Sequence, residues 1–208
     1  MGLYFRHNIN DFTRLAIWKI EEDEAFFLES VPSKRDIGHP HKRLQHLAGR
    51  FLLKFLFPDF PSEEIEIADT KKPYLLHEQY HFSISHGGNY AAAIVSQRDR
   101  VGIDIEMFAE KIKRISHKFL DEEEMELTED SMRGTDLQML TTFWSAKECV
   151  FKWWSYGNIS LKDNIKIRNI EEYPVQMVHA DFLREGEEYP IQISYKFFEE
   201  MALCWLVD

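Results

Sequence analysis

Two acidic residues in one short stretch of the chain could together hold a cation. Residues 101–106, VGIDIE, alternate between apolar and polar side chains after Gly102, which predicts a β-strand with Asp104 and Glu106 on one face. Two carboxylates on one face repel each other unless water or a cation separates them, and Mg²⁺ prefers such oxygen ligands. The alternative is an edge strand with a solvated acidic face, which the pair alone favours. Gly102 favours a cation site over a solvated face, because glycine within a strand often marks the close approach of a ligand or of another backbone segment.

A second group of polar side chains has the spacing of one helix face. Within residues 143–152, FWSAKECVFK, Trp144, Glu148 and Lys152 are each four residues apart and therefore share a ridge. A surface ion pair between Glu148 and Lys152, worth only about 0.3–0.5 kcal/mol, explains this spacing equally well. If the helix packs against the Asp104 strand instead, Glu148 becomes a third carboxylate and Lys152 a cation beside a phosphate. The spacing does not separate the two interpretations.

A third segment ends a predicted strand in glycines. Residues 82–88, FSISHGG, place two serine hydroxyls, His86 and exposed backbone N–H groups close together, and such groups suit a phosphate. An ordinary hydrogen-bonded histidine at a strand end is the alternative.

The charge distribution narrows the classes of partner. The formal net charge is −11, which argues against a nonspecific nucleic-acid binder. No acidic residue lies between Asp36 and Asp59, whereas Lys42, Arg43, Arg50 and Lys54 do, with three histidines. This basic segment predicts either a specific anion site or a solvated helix face. The histidines lack the spacing of a helical zinc pair, and no P-loop or Gly-x-Gly-x-x-Gly motif occurs.

Composition predicts a folded, cytoplasmic protein. The chain has 208 residues, of which 44% are hydrophobic and 14% aromatic, enough apolar surface to argue against disorder. No apolar run reaches the ~18–20 residues that span a membrane, and the first residues do not resemble a secretory signal. Cys149 and Cys204 lie in apolar surroundings and are interpreted as reduced core thiols.

Hydrophobic periodicity predicts an α+β chain. Residues 44–55 have the spacing of an amphipathic helix, and a long helix is predicted over 136–154. Strands are predicted at 15–20, 65–68, 82–85, 90–96, 101–106, 191–195 and 202–207. A short helix is predicted at 21–29, an acidic helix at 121–127, a turn at 71–74 and a loop at 133–134. A seam near residues 98–103 predicts two lobes of similar size, 1–100 and 101–208.

Taken in order, these segments resemble the Sfp-type 4′-phosphopantetheinyl transferases. That family has a Gly-Ile/Val-Asp-x-Glu signature followed by Trp-Ser/Thr-x-Lys-Glu-Ser/Ala-x-x-Lys, matched here by residues 102–106 and 144–152. Ser83-Ile84-Ser85-His86 resembles its serine–histidine element, Lys72-Pro73-Tyr74 its Gly-Lys-Pro turn, and Arg50 its N-terminal arginine. The resemblance covers about residues 40–155.

The resemblance implies a fold and a reaction. The fold is two similar α/β lobes related by a pseudo-twofold, with coenzyme A in the cleft between them, and the expected state is a monomer. The reaction moves 4′-phosphopantetheine from coenzyme A to a serine of an apo acyl or peptidyl carrier protein and releases 3′,5′-ADP. Coenzyme A and the carrier are thus the expected partners, with no nucleic acid and no membrane.

The resemblance also implies roles for particular residues. Asp104, Glu106 and Glu148 would hold Mg²⁺, and Lys152 would neutralise the phosphates. Glu148, directly or through a metal-bound water, would act as general base. The nucleotide end of coenzyme A would bind residues of the first lobe, namely Arg50, Lys72, Ser85 and His86.

Some residues depart from the family pattern or lie outside it. Cys149 stands where Ser or Ala is usual, and Lys71 where Gly usually precedes Lys-Pro. The Lys34-Arg35 pair is a further candidate for the 3′-phosphate. Residues 111–114, KIKR, are a candidate docking patch for an acidic carrier, because like charges would otherwise disfavour its encounter with an acidic chain. Plain surface is the alternative for that patch.

Three other functions are compatible with the same residues. A metal-dependent phosphohydrolase could use the three carboxylates and would need no carrier. A catalytically inactive relative could bind coenzyme A or a carrier, although such proteins usually lose Asp104, Glu148 or Lys152. A structural module with chance motif matches is the third alternative.

Overall fold

The chain divides into two compact units. The first comprises Met1–Ile103 together with Asp208, and the second Asp104–Val207. The structure is a computed structural model that describes residues 2–31, 37–129, 135–172 and 174–208. The predicted Lys34-Arg35 pair and the predicted loop at 133–134 lie outside these residues. Within the described part of the chain, no helix combines the length and apolar character needed to cross a bilayer.

The first unit is built on a four-stranded antiparallel sheet. Its strands occur in the order β1-β2-β6-β5. They are β1 (Leu3–Asn8), β2 (Thr13–Lys19), β5 (His81–Gly87) and β6 (Tyr90–Ser96). The unit also contains α1 (Glu24–Leu28), α2 (Pro40–Leu56), a short 3₁₀ helix (Ser62–Glu64) and the small antiparallel pair β3 (Ile65–Ile67) and β4 (Pro73–Leu75).

Helix α2 covers one face of this sheet. His39 caps its first turn by accepting a hydrogen bond from the Lys42 N–H, and Pro40 occupies the first helical position, which favours initiation there. Its apolar residues join those of the sheet in a single core. A Cβ on Gly49 would lie 2.6 Å from Ile84 Cγ2, so glycine allows α2 to approach β5 closely.

The turn between β3 and β4 gives a physical reason for the glycine that usually stands at position 71 in the family pattern. The Lys71 N–H donates to the Ala68 carbonyl and the Ala68 N–H to the Lys72 carbonyl. Lys71 has a φ of +65°, in the left-handed region where glycine is preferred. The family's usual glycine therefore occurs where the backbone requires a positive φ.

In the residues that the structure describes, the second unit packs three helices with a five-stranded sheet. The strand order is β7-β11-β10-β9-β8, in which β11, β10, β9 and β8 are antiparallel in turn. The strands are β7 (Val101–Met107), β8 (Ile165–Glu171), β9 (Met177–Arg184), β10 (Glu187–Phe197) and β11 (Met201–Val207). The helices are α3 (Lys111–Ile115), α4 (Glu122–Glu129) and α5 (Asp136–Trp154), with a 3₁₀ turn at Ser116–Lys118.

Helix α5 is the central helix of this unit. Thr135 and Gln138 form a capping box at its start, and Ser155 ends it with a left-handed backbone, φ +73°. Its buried side chains, including Phe143 and Val150, form one core with those of β8–β11. The prediction of a helix over 136–154 is confirmed at both ends.

The prediction of a chain that mixes helices and strands is confirmed. The structure adds elements that the sequence patterns do not predict, namely β1, β4, α3, β8 and β9. The turn predicted at 71–74 is shorter than expected, because Pro73 and Tyr74 pair with β3 as part of β4. The pseudo-twofold relation between lobes stays a prediction.

Candidate functional site

Strand β7 carries the two carboxylates that the alternating pattern places on one face. Asp104 is almost fully buried and Glu106 partly buried. Both carboxylates accept hydrogen bonds from α5: Lys152 Nζ donates to Asp104 Oδ1 at 2.5 Å, and Trp144 Nε1 donates to Glu106 Oε1 at 3.0 Å. The predicted acidic face therefore points to a helix rather than to bulk solvent.

The ridge on α5 provides the partners of these carboxylates. Trp144, Glu148 and Lys152 lie on successive turns and are all partly buried, and the outer two contact β7 as described. Lys152 has a side chain 26% exposed, whereas Asp104 is only 3% exposed. Of the two interpretations of the spacing, the structure favours the helix packed against the Asp104 strand.

Burial and neighbouring charges shift the pKa values of Glu106, Glu148 and Lys152. Burial raises the pKa of Glu106 above its ordinary value and Asp104 raises it further, while the Trp144 hydrogen bond opposes the shift. Burial and then Asp104 raise the pKa of Glu148, which Lys152 counteracts. Burial acts to lower the pKa of Lys152, but Asp104 and Glu148 outweigh it, so that this pKa is raised. The group carries more negative than positive charge, which an additional cation would balance.

The donor set has the chemistry that Mg²⁺ selects. Its oxygens are all carboxylate oxygens, and Mg²⁺ typically takes one or two of these while keeping waters and binding substrate phosphates. Among the residues that the structure describes, no three His, Cys, Asp or Glu side chains meet in the geometry of a metal cage. Carboxylate oxygens suit an open magnesium site that a substrate completes, and the assignment of Asp104, Glu106 and Glu148 as its ligands stays a prediction.

The predicted nucleotide-binding residues all lie in the first unit. Arg50 is on α2, Lys72 ends the β3–β4 turn, and Ser85 and His86 are near the end of β5. Ser85 is buried and His86 exposed, and because they are adjacent on a strand they point to opposite faces. Ile84, two residues before His86, contacts α2 at Gly49. His86 therefore lies on the face that α2 covers.

Two residues that the sequence patterns did not single out form hydrogen bonds to the turn after His86. Gln45 Nε2 donates to the Gly88 carbonyl at 2.8 Å, and His41 Nε2 lies 3.0 Å from the same oxygen. Gly88 itself has a φ of +53°. Gln45 is 8% exposed, and a glutamine within the apolar stripe of α2 was the signal that could have identified it.

Two further predictions concern side chains with structural roles. Ser83 Oγ accepts a hydrogen bond from the Ile103 N–H at 3.3 Å, so this hydroxyl ties β5 to the last residue of the first unit. Cys149 and Cys204 are free thiols in the core, and burial raises the pKa of both. They are therefore poor nucleophiles.

The candidate docking patch corresponds to helix α3. Ile112 is buried, and Lys113 forms an exposed ion pair with Glu110 at 3.1 Å. Lys111 lines a small pocket of about 90 Å³ that also touches Glu106 and Trp144. The patch thus begins beside the carboxylate group, and its role in docking stays a prediction.

Comparison with known proteins gives two similarities. Residues 100–199 match the model of the 4′-phosphopantetheinyl transferase superfamily, and this range contains both carboxylate-bearing segments. A Haemophilus influenzae protein named "Putative 4'-phosphopantetheinyl transferase" is 27% identical over 176 residues, covering 79% of this chain and 70% of the relative. Both similarities are to the 4′-phosphopantetheinyl transferase superfamily, and the narrower Sfp-type resemblance stays a prediction.

Proposed function

We propose that this protein transfers 4′-phosphopantetheine from coenzyme A to a serine of an apo acyl or peptidyl carrier protein and releases 3′,5′-ADP. The observation that carries the proposal is the Lys152–Asp104 ion pair with Glu106 and Glu148 beside it. It lies within the residues that match the superfamily model. We also propose an Sfp-type monomer of two related lobes, active in the cytoplasm, where its buried cysteines stay reduced.

In this proposal, Asp104, Glu106 and Glu148 hold Mg²⁺. The ion would neutralise negative charge on the pyrophosphate of coenzyme A. The protein's own contribution is to fix the three carboxylates in a partly buried group where charge interactions are strong.

Glu148 and Lys152 perform the remaining tasks. The serine hydroxyl must lose a proton as it attacks the β-phosphorus, and Glu148 accepts it. Glu148 suits this role because it is a partly buried carboxylate beside Asp104 and Lys152, and a positioned carboxylate can act as a general base. Lys152 is held by Asp104 and stabilises charge on the phosphoryl oxygens and the departing 3′,5′-ADP.

The first unit binds the nucleotide end in this proposal. Arg50, Lys72, Ser85 and His86 would contact the adenosine phosphates, including the 3′-phosphate. The hydrogen bonds of His41 and Gln45 to Gly88 support a fixed conformation of the turn that follows His86.

The test is intact-protein mass spectrometry of an apo carrier incubated with the protein, coenzyme A and Mg²⁺. The expected result is a mass gain of one phosphopantetheine, lost with EDTA and with Asp104→Ala. Arg168→Ala is a matched control, because it breaks an exposed ion pair with Asp181 on β9 and should leave transfer intact. No gain on fatty-acid and peptide-synthesis carriers, despite coenzyme A binding, would instead indicate an inactive binding relative.

A further inference from the structure

A second lysine on α5 lies entirely within the core of the second unit. The Lys147 side chain is 0% exposed, and a buried ammonium group is costly unless it is paired and hydrogen-bonded. Its Nζ donates to the Phe119 carbonyl at 2.7 Å and lies 2.9 Å and 2.6 Å from the two carboxylate oxygens of Glu124. Three acceptors thus surround a group with three protons.

The partner carboxylate is held equally firmly. Glu124, on α4, is almost completely buried. Its Oε1 accepts from the Ile167 N–H of β8 at 2.8 Å, and its Oε2 accepts from the Asp121 N–H at 3.0 Å. Asp121 Oδ1 in turn accepts from the Glu124 N–H at 2.9 Å. The Lys147–Glu124 pair therefore ties α5 to the start of α4, to β8 and to the segment at residue 119.

This anchoring bears directly on the proposed site, because Lys147 precedes Glu148 in the same helix. Successive residues of an α-helix are about 100° apart around its axis. A fixed Lys147 therefore sets the rotation and the axial position of α5, and with them the direction in which Glu148 and Lys152 point. The apolar contacts of α5 with β11 and β10 are less directional, since hydrophobic contacts do not define angles.

We infer that Lys147 and Glu124 are a positioning pair that aims Glu148 and Lys152 at the Asp104 carboxylate. This inference rests on the proposed function for its link to activity. Lys147 contacts neither phosphate nor serine in this account, and it acts only through the orientation of α5.

The test removes both charges together. In Lys147→Met/Glu124→Gln, neither charge remains buried without its partner, and such replacements often leave stability unchanged. We expect the folded double variant to show about 10- to 100-fold lower kcat, with the KM for coenzyme A nearly unchanged. Its affinity for Mn²⁺, measured by electron paramagnetic resonance as a probe of the carboxylate group, should fall by a similar factor.

A control separates positioning from stability. Ile170→Ala truncates a buried side chain of β8 in the same core and should lower the melting temperature, but it leaves the pair intact. Assayed well below its melting temperature, it should keep the wild-type kcat and Mn²⁺ affinity. A single Glu124→Gln variant, which retains an acceptor for Lys147, replaces the double variant if the latter does not fold, and the same two losses are expected.

Two results would overturn the inference. One is a folded pair variant with wild-type kcat and Mn²⁺ affinity, which would make the pair purely structural. The other is an equal loss in Ile170→Ala, which would trace the effect to lower stability. If the wild-type protein modifies no carrier, the proposed function fails, and the Mn²⁺ affinities alone then decide whether the pair positions the carboxylates.

Discussion

Helix α5 carries two lysine–carboxylate pairs that differ in almost every physical respect. Lys147 and Glu124 are 0% and 2% exposed, whereas Lys152 is 26% exposed and its partner Asp104 3%. Glu124 also accepts two backbone N–H groups. The Lys147–Glu124 pair is sealed from solvent, and its two charges cancel. The Lys152–Asp104 pair is open to solvent on the lysine side.

The two pairs also differ in the charge around them. Glu106 and Glu148 lie close enough to the Lys152–Asp104 pair for Asp104 to raise both of their pKa values, after burial, which is the larger cause. Two extra carboxylates beside an accessible pair leave a net negative charge that a bound cation can neutralise. Burial with full hydrogen bonding thus favours a structural role for a lysine–carboxylate pair, whereas exposure beside surplus negative charge favours a role in binding and catalysis.

Removing one partner of the sealed Lys147–Glu124 pair should give the largest effect, a loss of stability. In Lys147→Ala, Glu124 would keep a buried charge without its cation, and we expect a loss of about 3–5 kcal/mol in the free energy of unfolding. Urea denaturation with and without Mg²⁺ measures it. Because the pair lies away from the carboxylate group, Mg²⁺ should not restore the loss. Unchanged stability would contradict the assignment of a structural role to this pair.

Removing the lysine of the open Lys152–Asp104 pair should mainly lower the rate of the reaction. We expect Lys152→Ala to lower kcat by about 10²- to 10³-fold, because a charge on the phosphoryl oxygens is no longer stabilised. Steady-state kinetics with coenzyme A measures it.

The same variant tests the charge around the open pair. Removing Lys152 leaves the carboxylates with more unbalanced charge, so Mg²⁺ should raise the melting temperature of Lys152→Ala more than that of the wild type. An equal shift in both proteins would argue against a cation site there.

The open pair should also respond to pH. The folded-state pKa values of Glu106 and Glu148 lie above their ordinary value of 4.5. Their contribution to the stability of the metal-free protein is therefore fully present below 4.5 and is lost as the pH rises through the raised values.

Metal binding should follow the opposite trend with pH. Mg²⁺ must displace these protons, so its affinity should rise with pH across the same window, by up to about tenfold per pH unit for each proton released. Calorimetric titration with Mg²⁺ at several pH values measures this. An affinity that does not change with pH would exclude these two carboxylates as ligands.

The smallest effect concerns the hydrogen bond that orients Glu106. Trp144→Phe keeps an aromatic ring against Phe119 but removes the Nε1 donor. We expect a loss of about 0.5–1.5 kcal/mol in Mg²⁺ binding, because a hydrogen bond of ordinary strength is removed. Stronger Mg²⁺ binding in this variant would show that the bond competes with the metal.

The sequence predicts local features of this site well. Alternation places Asp104 and Glu106 on one face of β7, and four-residue spacing aligns Glu148 with Lys152 on α5. The ends of α5 also follow from local signals, a threonine–glutamine capping box and a serine that adopts a left-handed backbone. These features depend on residues that are close in sequence, so periodicity and turn chemistry are enough to predict them.

The sequence does not predict which residues from distant segments meet. Lys152 bonds to Asp104, 48 residues away, although Glu148 at four residues is the partner that helix spacing favours. Glu124 likewise lies in a run of acidic residues on α4, and nothing local distinguishes the one that is buried against Lys147. Such choices depend on tertiary packing, which spacing alone does not encode.

The most direct test of the proposed transfer is to measure how much 3′,5′-ADP forms for each carrier that is modified. Purified protein, coenzyme A and Mg²⁺ are incubated with and without an apo carrier, and 3′,5′-ADP is quantified beside the modified carrier. We predict one 3′,5′-ADP for each carrier serine modified and almost none without the carrier. Equal release of 3′,5′-ADP in its absence would instead show a phosphohydrolase and contradict the proposed transfer.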